Sequence, residues 1–302
     1  MICIQYTFLF IVSATAATIW RDKYREVIIT GMEFVGILEV VLGMLQLFGI
    51  ASRRHGLFAM TGTFSNPGPF GGFVAMVAVI SLADYIQNKR GVNFRKWLSF
   101  TSLTLCLIAL VVSLSRAAWI SFFLAGTVIL ARNVYVRNFF AASSWRLPVA
   151  IIVAIICLTA AIGMKKDSAA GRLHIWHMEA RAIAEKPLTG YGLGNELGAY
   201  GSAQHDYFTS GCGNDIEKTV AGSPEYAFNE YLKAAEAGGI GLLIVVLSIL
   251  LLSIYFLRGS PLQLGLISLA VFSMPINPKN TDMVVLRDRA KHVLDTLMKE
   301  NQ

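Results

Sequence analysis

Charge is what this sequence has least of. Only 15% of its 302 residues are Asp, Glu, Lys or Arg, against 55% in the hydrophobic set, where a soluble domain carries about a quarter charged residues. That scarcity excludes an ordinary water-soluble enzyme. Cysteine is scarce too, with 4 in the chain. Cys3, Cys106 and Cys157 fall in apolar blocks and Cys212 stands alone in a polar loop, so that loop closes no disulfide on itself. No basic residue precedes the first apolar block, and Arg21, Lys23 and Arg25 follow it, the reverse of a secretory signal peptide. Such a start suggests further helices upstream. Internal repeats and low-complexity tracts are also absent.

What is present is hydrophobic length. Apolar blocks run over 2–19, 27–50, 70–86, 98–115, 117–131, 147–163, 239–257 and 262–276, close to the roughly 20 residues that span a bilayer as a helix. The stretch 98–131 would rise about 51 Å as a single helix, far beyond a ~30 Å hydrocarbon core, so it divides at Ser115-Arg116 and leaves Arg116 at a membrane surface. The expected fold is all-α, a polytopic transmembrane bundle of about eight spans with a large helical loop. Its expected divisions are membrane helices over 1–163, a loop domain over 164–238, two more membrane helices over 239–277 and a soluble amphipathic tail over 278–302.

Lys and Arg gather in cytoplasmic loops. Segments 21–26, 88–97, 132–146 and 258–261 hold 11 basic residues in 35 positions, and the opposite segments hold 10 in 95. The first set is therefore cytoplasmic, and Arg53, Arg54, Arg116 and the whole of 164–238 face outward. The net charge of +7 then reports topology, and no nucleic-acid partner is needed to explain it.

Segment 164–238 is too long for a connector. Leu173, Ile175, Trp176, Ala180 and Ile183 recur at helical spacing, with Pro187 just past the helix end. Gly190, Gly192 and Gly194 follow in alternation, which permits positive backbone angles and close approach to a ligand, although a helix-to-loop turn is the plainer expectation. A second helix is predicted over 225–241, with Phe228, Leu232 and Ala235 on one side and Asn229, Glu230, Lys233 and Glu236 on the other. Packed against the first, it would form a polar roof over the spans.

Four ordered motifs sharpen this. Gly62-Thr63-Phe64-Ser65-Asn66-Pro67-Gly68-Pro69-Phe70 enters a span, and Ser113-Leu114-Ser115-Arg116-Ala117-Ala118-Trp119 separates two. Arg172 and Trp176 precede Ile183, Pro187-Leu188 and the alternating glycines. Phe228-Asn229-Glu230-Tyr231-Leu232 precedes Glu236 and Gly238. Over about residues 60–257 the set resembles the bacterial O-antigen ligase and O-antigen polymerase family. The resemblance implies a metal-independent, inverting glycosyltransferase of the bacterial inner membrane, needing no cofactor, with its site facing the periplasm. Its donor would be an undecaprenyl diphosphate-linked glycan, and its acceptor a hydroxyl of lipid A-core or of another glycan, all held among membrane lipid. Arginines matching Arg116 and Arg172 would meet the diphosphate, a role suited to a planar fork of five N–H donors.

Asn66, Asn229, Glu236, Gly190 and Gly192 are the expected substrate-binding residues. An interfacial Arg can also merely snorkel to headgroups, and Arg172 can be an ordinary surface residue. The chain departs from the family at Phe228, where many members carry the His proposed as general base. His205 and Glu230 are the replacement candidates, with Glu225 behind them; alternatively, positioning suffices, or the chain is an inactive fragment. His174 and His177 share a helix face without a strong third ligand for zinc, and surface histidines are the plainer expectation. Glu39 and Gln46 lie on one stripe of the second span. A mid-membrane carboxylate faces the bundle or a wet cavity, so Glu39 motivates the rival reading, a transporter or flippase of a lipid-linked glycan.

Overall fold

The computed structural model describes residues 22–54, 58–88, 93–113, 115–132, 138, 141–143, 145–146, 148–149, 167–214, 217–218, 221 and 229–274. The predicted 2–19 span, nearly all of the 147–163 span and the 278–302 tail lie outside these residues. Every regular element among the described residues is a helix: α1 Asp22–Leu47, α2 Pro67–Gln87, α3 Phe94–Ser113, α4 Arg116–Arg132, α5 Asp167–Glu185, α6 Glu196–Thr209, α7 Glu230–Phe256 and α8 Pro261–Phe272. By length and composition, α2, α3, α7 and most of α1 could each cross a membrane, while α4 and α8 are shorter and apolar. The chain is a helical membrane protein.

Helix α2 is the hub, packed against α1, α3, α4 and α8. Asn66 caps it, its Oδ1 accepting from Gly68 N at 2.9 Å, and Pro67 occupies the first turn, where the missing N–H costs nothing. Small residues then let neighbours close in. A Cβ on Gly71 would lie 2.7 Å from Ser115 Cβ, and one on Gly72 would lie 2.4 Å from the Phe272 ring. Phe70, Val74, Val77, Leu110, Ala118, Leu262 and Leu266 fill the shared core.

Glu39 and Gln46 prove to be scaffold. Gln46 Nε2 donates to Gly62 O at 2.8 Å, and its Oε1 accepts from Thr61 N and Gly62 N at 3.1 and 2.8 Å. Glu39 accepts from Thr63 N at 2.9 Å and Thr63 Oγ1 at 2.5 Å. The stripe clamps the turn that leads into the Asn66 cap, and the partner of Glu39 is this turn rather than a cation.

Helix α7 is really two pieces. Gly238 (φ −129°, ψ 17°) and Gly239 (φ 70°, ψ −174°) break its helical geometry, and all its charged residues, Glu230, Lys233 and Glu236, precede that break. The membrane span is the uncharged part, 240–256. Helix α8 returns from the far end of that span with only 12 residues, about 18 Å of rise. Yet Glu230 N donates to Ser273 O at 3.2 Å, and Tyr231 Oη donates to Ala270 O at 2.9 Å. Segment 230–237 must therefore fold back across the bundle to reach the end of α8, whose orphan carbonyls it satisfies. It also packs beneath α5 and α6, making the roof.

Candidate functional site

Three helix N-termini meet at this roofed end. Asn66 opens α2; Asn229 opens α7, its Oδ1 accepting from Tyr231 N and Leu232 N at 3.0 and 3.2 Å; and Ser115 O receives the first bond of α4 from Trp119 N at 3.1 Å. Each N-terminus concentrates positive dipole and unsatisfied N–H groups, favouring an anion. Half-buried Arg116 is the first residue of α4. A short relay of contacts joins it to Glu230: Ser115 packs on Gly71, Phe272 packs on the adjacent Gly72, and Ser273 O holds Glu230 N. Arg116, Asn66, Asn229 and Glu230 thus share one end of the bundle, although both asparagine side chains are engaged as caps.

The glycine loop has a visible structural use. Tyr191 N donates to Glu236 O at 2.8 Å, Gly192 N to Ala237 O at 2.9 Å, and Ile240 N to Pro187 O at 2.7 Å. These three bonds satisfy backbone groups exposed by the α7 kink. A Cβ on Gly190 would strike the Glu236 and Ala237 backbone at 2.6 Å, and one on Gly239 would strike Leu188 O at 2.4 Å. Gly190 and Gly192 allow the loop to lie directly on the kink.

Around that contact lies a buried acidic pair. Glu236 on α7 is 1% exposed and Glu179 on α5 is 2% exposed, and Oε1 of the first and Oε2 of the second lack a hydrogen-bond partner. Burial pushes the Glu179 carboxyl up to about 9, reinforced by the nearby Glu236 charge and opposed by Lys233. Burial also raises Glu236 to about 7, reinforced by Glu196 and opposed by Lys233. Glu230 is raised by burial as well, with Lys233 pulling the other way. Desolvation disfavours the charged carboxylate in each case. Glu179 is therefore protonated at neutral pH.

The remaining sequence candidates fall elsewhere. Arg172 lies on α5, above α7, and its side chain is outside the described residues, as are Glu225 and Phe228. Gln204-His205-Asp206-Tyr207 lies within helix α6. His205 is exposed on it, 3.2 Å from Asp206 Oδ1. His174, expected at the surface, is buried, its ring stacked on Phe208 at 5.6 Å; burial lowers its pKa. His177 stands edge-on to Tyr207 at 5.3 Å. His174 thus joins the aromatic contacts between α5 and α6, while His177 is exposed, as expected of a surface histidine. Glu179 was missed because a lone Glu on an amphipathic helix gives no sign of burial.

Residues 101–247 match the O-antigen ligase family. This part of the chain is an O-antigen ligase-family domain. No curated protein and no solved structure matches the chain. The matched stretch of the O-antigen ligase domain runs from α3 into the span of α7. It takes in Arg116, Arg172, the glycine loop, His205, Asn229, Glu230 and Glu236, while Asn66 precedes it. The family supports glycan transfer of the O-antigen ligase or polymerase type at a membrane.

Proposed function

We propose that the protein moves a glycan from an undecaprenyl diphosphate carrier to a hydroxyl acceptor, either lipid A-core or another glycan, on the periplasmic side of the bacterial inner membrane. The observation that carries this reading is the convergence of Arg116, three helix N-termini and Glu230 at one end of a membrane bundle in an O-antigen ligase-family chain. The departing diphosphate gathers negative charge as the glycosidic bond breaks. Arg116 meets it with a guanidinium fork and the helix ends add aligned N–H dipoles, so the stabilising charge comes from the chain without a metal or cofactor. Arg172, on the layer above, supplies the second cation. The acceptor hydroxyl attacks the sugar from the face opposite the diphosphate, inverting its configuration.

Glu230 is the better replacement for the base that Phe228 cannot be. Its raised pKa brings it nearer the range where a carboxylate accepts a proton efficiently at neutral pH, and it lies on the contact path to Arg116, whereas His205 is on the exposed face of α6. In a strain lacking the protein, Arg116→Ala or Arg172→Ala should abolish polymer transfer at normal protein level. Glu230→Gln should lower the rate by roughly 10²–10⁴-fold, and His205→Ala should leave it near the parent. Retained transfer in Arg116→Ala would overturn the reading; the reverse order of the Glu230 and His205 effects would reassign the base.

A further inference from the structure

The loop 187–197 carries an apolar surface that the proposed chemistry does not use. Leu188 and Leu193 are each 80% exposed, and Leu197, in the first turn of α6, is 55% exposed. Leucines so open to water on a polar layer call for an occupant. Their height is fixed by the backbone: Pro187 O, Tyr191 N and Gly192 N are bonded to residues 236, 237 and 240 of α7, where the charged part of that helix gives way to the uncharged part.

Helix α7 stands at the edge of the bundle, only 17% of its most apolar window being buried. Ile240, Ile244 and Val245, immediately below the kink, are 43%, 57% and 52% exposed, which makes them lipid-facing in a membrane protein. Leu188 adjoins that belt through the backbone, its carbonyl lying against Gly239 while Pro187 O accepts from Ile240 N. Alongside them, Lys186 Nζ sits 4.5 Å from the Tyr191 ring centroid, and Tyr191 Oη donates to Glu185 at 2.8 Å. Tyr and Lys with apolar bodies and polar tips are the side chains that settle at headgroup level.

We propose that Leu188 and Leu193 insert into the acyl-chain region of the adjoining lipid leaflet, so that loop 187–197 is an interfacial anchor setting the depth of the α7 kink. The partner is the phospholipid bilayer itself. The inference rests on the membrane span of α7 and is independent of which reaction the protein performs.

The test is spin-label accessibility in the full chain reconstituted into phosphatidylethanolamine–phosphatidylglycerol vesicles, with Cys212→Ser removing the thiol that is exposed among the described residues. Nitroxides are placed singly through Leu188→Cys, Leu193→Cys and, as a water-exposed reference, Thr209→Cys; the Cys212→Ser parent gives the background signal. The Leu188 and Leu193 labels should collide with oxygen several-fold more, and with a water-soluble nickel chelate several-fold less, than the Thr209 label. Nickel access equal to the reference would overturn the proposal. Shielding from both reagents would overturn it as well, by showing a protein partner or a second copy on this surface.

Discussion

At the end of the bundle remote from the loop layer, Arg95 lies between two acids, donating to Asp84 at 2.5 and 3.1 Å and meeting Glu26 at 2.9 Å, while Ser99 Oγ donates to Asp84 at 3.0 Å. At the loop end, Glu179 and Glu236 are buried near each other with Lys233 as the opposing charge and an oxygen on each without a hydrogen bond. In the first arrangement Arg95 answers both Asp84 and Glu26 and ties α1, α2 and α3 together, although the neighbouring buried Glu33 has neither carboxyl oxygen hydrogen-bonded. The second leaves charge requirements open, which is the state in which pKa values move and protons can be exchanged. On the proposed function, holding the fold and serving the reaction are divided between the two ends.

The sharpest way to break that division is to exchange the roles of two arginines. Arg95→Ala strands the nearly buried Asp84 and should cost about 3–5 kcal/mol, seen as loss of the monodisperse peak in fluorescence-detected size exclusion. Arg116→Ala should keep that peak and lose transfer. The opposite pattern would place the structural burden at the loop end. Next in size, Gly239→Ala should destabilise by about 1–3 kcal/mol from its backbone conformation alone, and further from collision with the Leu188 carbonyl; a melting temperature equal to the parent's would show that the kink can relax.

A third test separates the two ends by pH. The unfolded chain loses the Glu179 proton near 4.5 while the folded chain keeps it to about 9, so folding retains a proton and stability falls as pH rises through that interval. Glu236 adds to the fall up to about 7. Each group tilts the profile by at most about 1.4 kcal/mol per pH unit. In Glu179→Gln the fall should stop near pH 7, measured as the denaturation midpoint against pH. A profile that keeps falling to pH 9 would remove Glu179 as its source.

Hydrophobic runs, loop charge and four short motifs were enough to read a helical membrane protein and the family that residues 101–247 match, because bilayer thickness turns composition directly into helices. The break before Arg116 was legible for the same reason. Helix α6 was not, since Gly198 and Gly201 weaken its propensity; the apolar register of Ala199, Tyr200, Ala203 and Tyr207 was the available signal. The asparagines expected to bind substrate also cap helices, and the carboxyl of Glu39 holds a turn. Both outcomes depend on where neighbouring backbone N–H groups point, which residue type alone does not disclose. The fold-back of α7 was equally hidden, because it follows from one glycine conformation and from the shortness of a helix later in the chain.

That fold-back also orders events during synthesis. The ribosome delivers Arg116 and Arg172 long before Ala270 and Ser273, yet the segment carrying Glu230 is held in place by bonds to those last two carbonyls. Until α8 has entered the membrane, the parts of the site exist without being joined. A chain still emerging therefore carries Arg116 and Arg172 before the segment of Glu230 has the carbonyls that hold it, and that segment is secured only with the arrival of the twelve residues of α8.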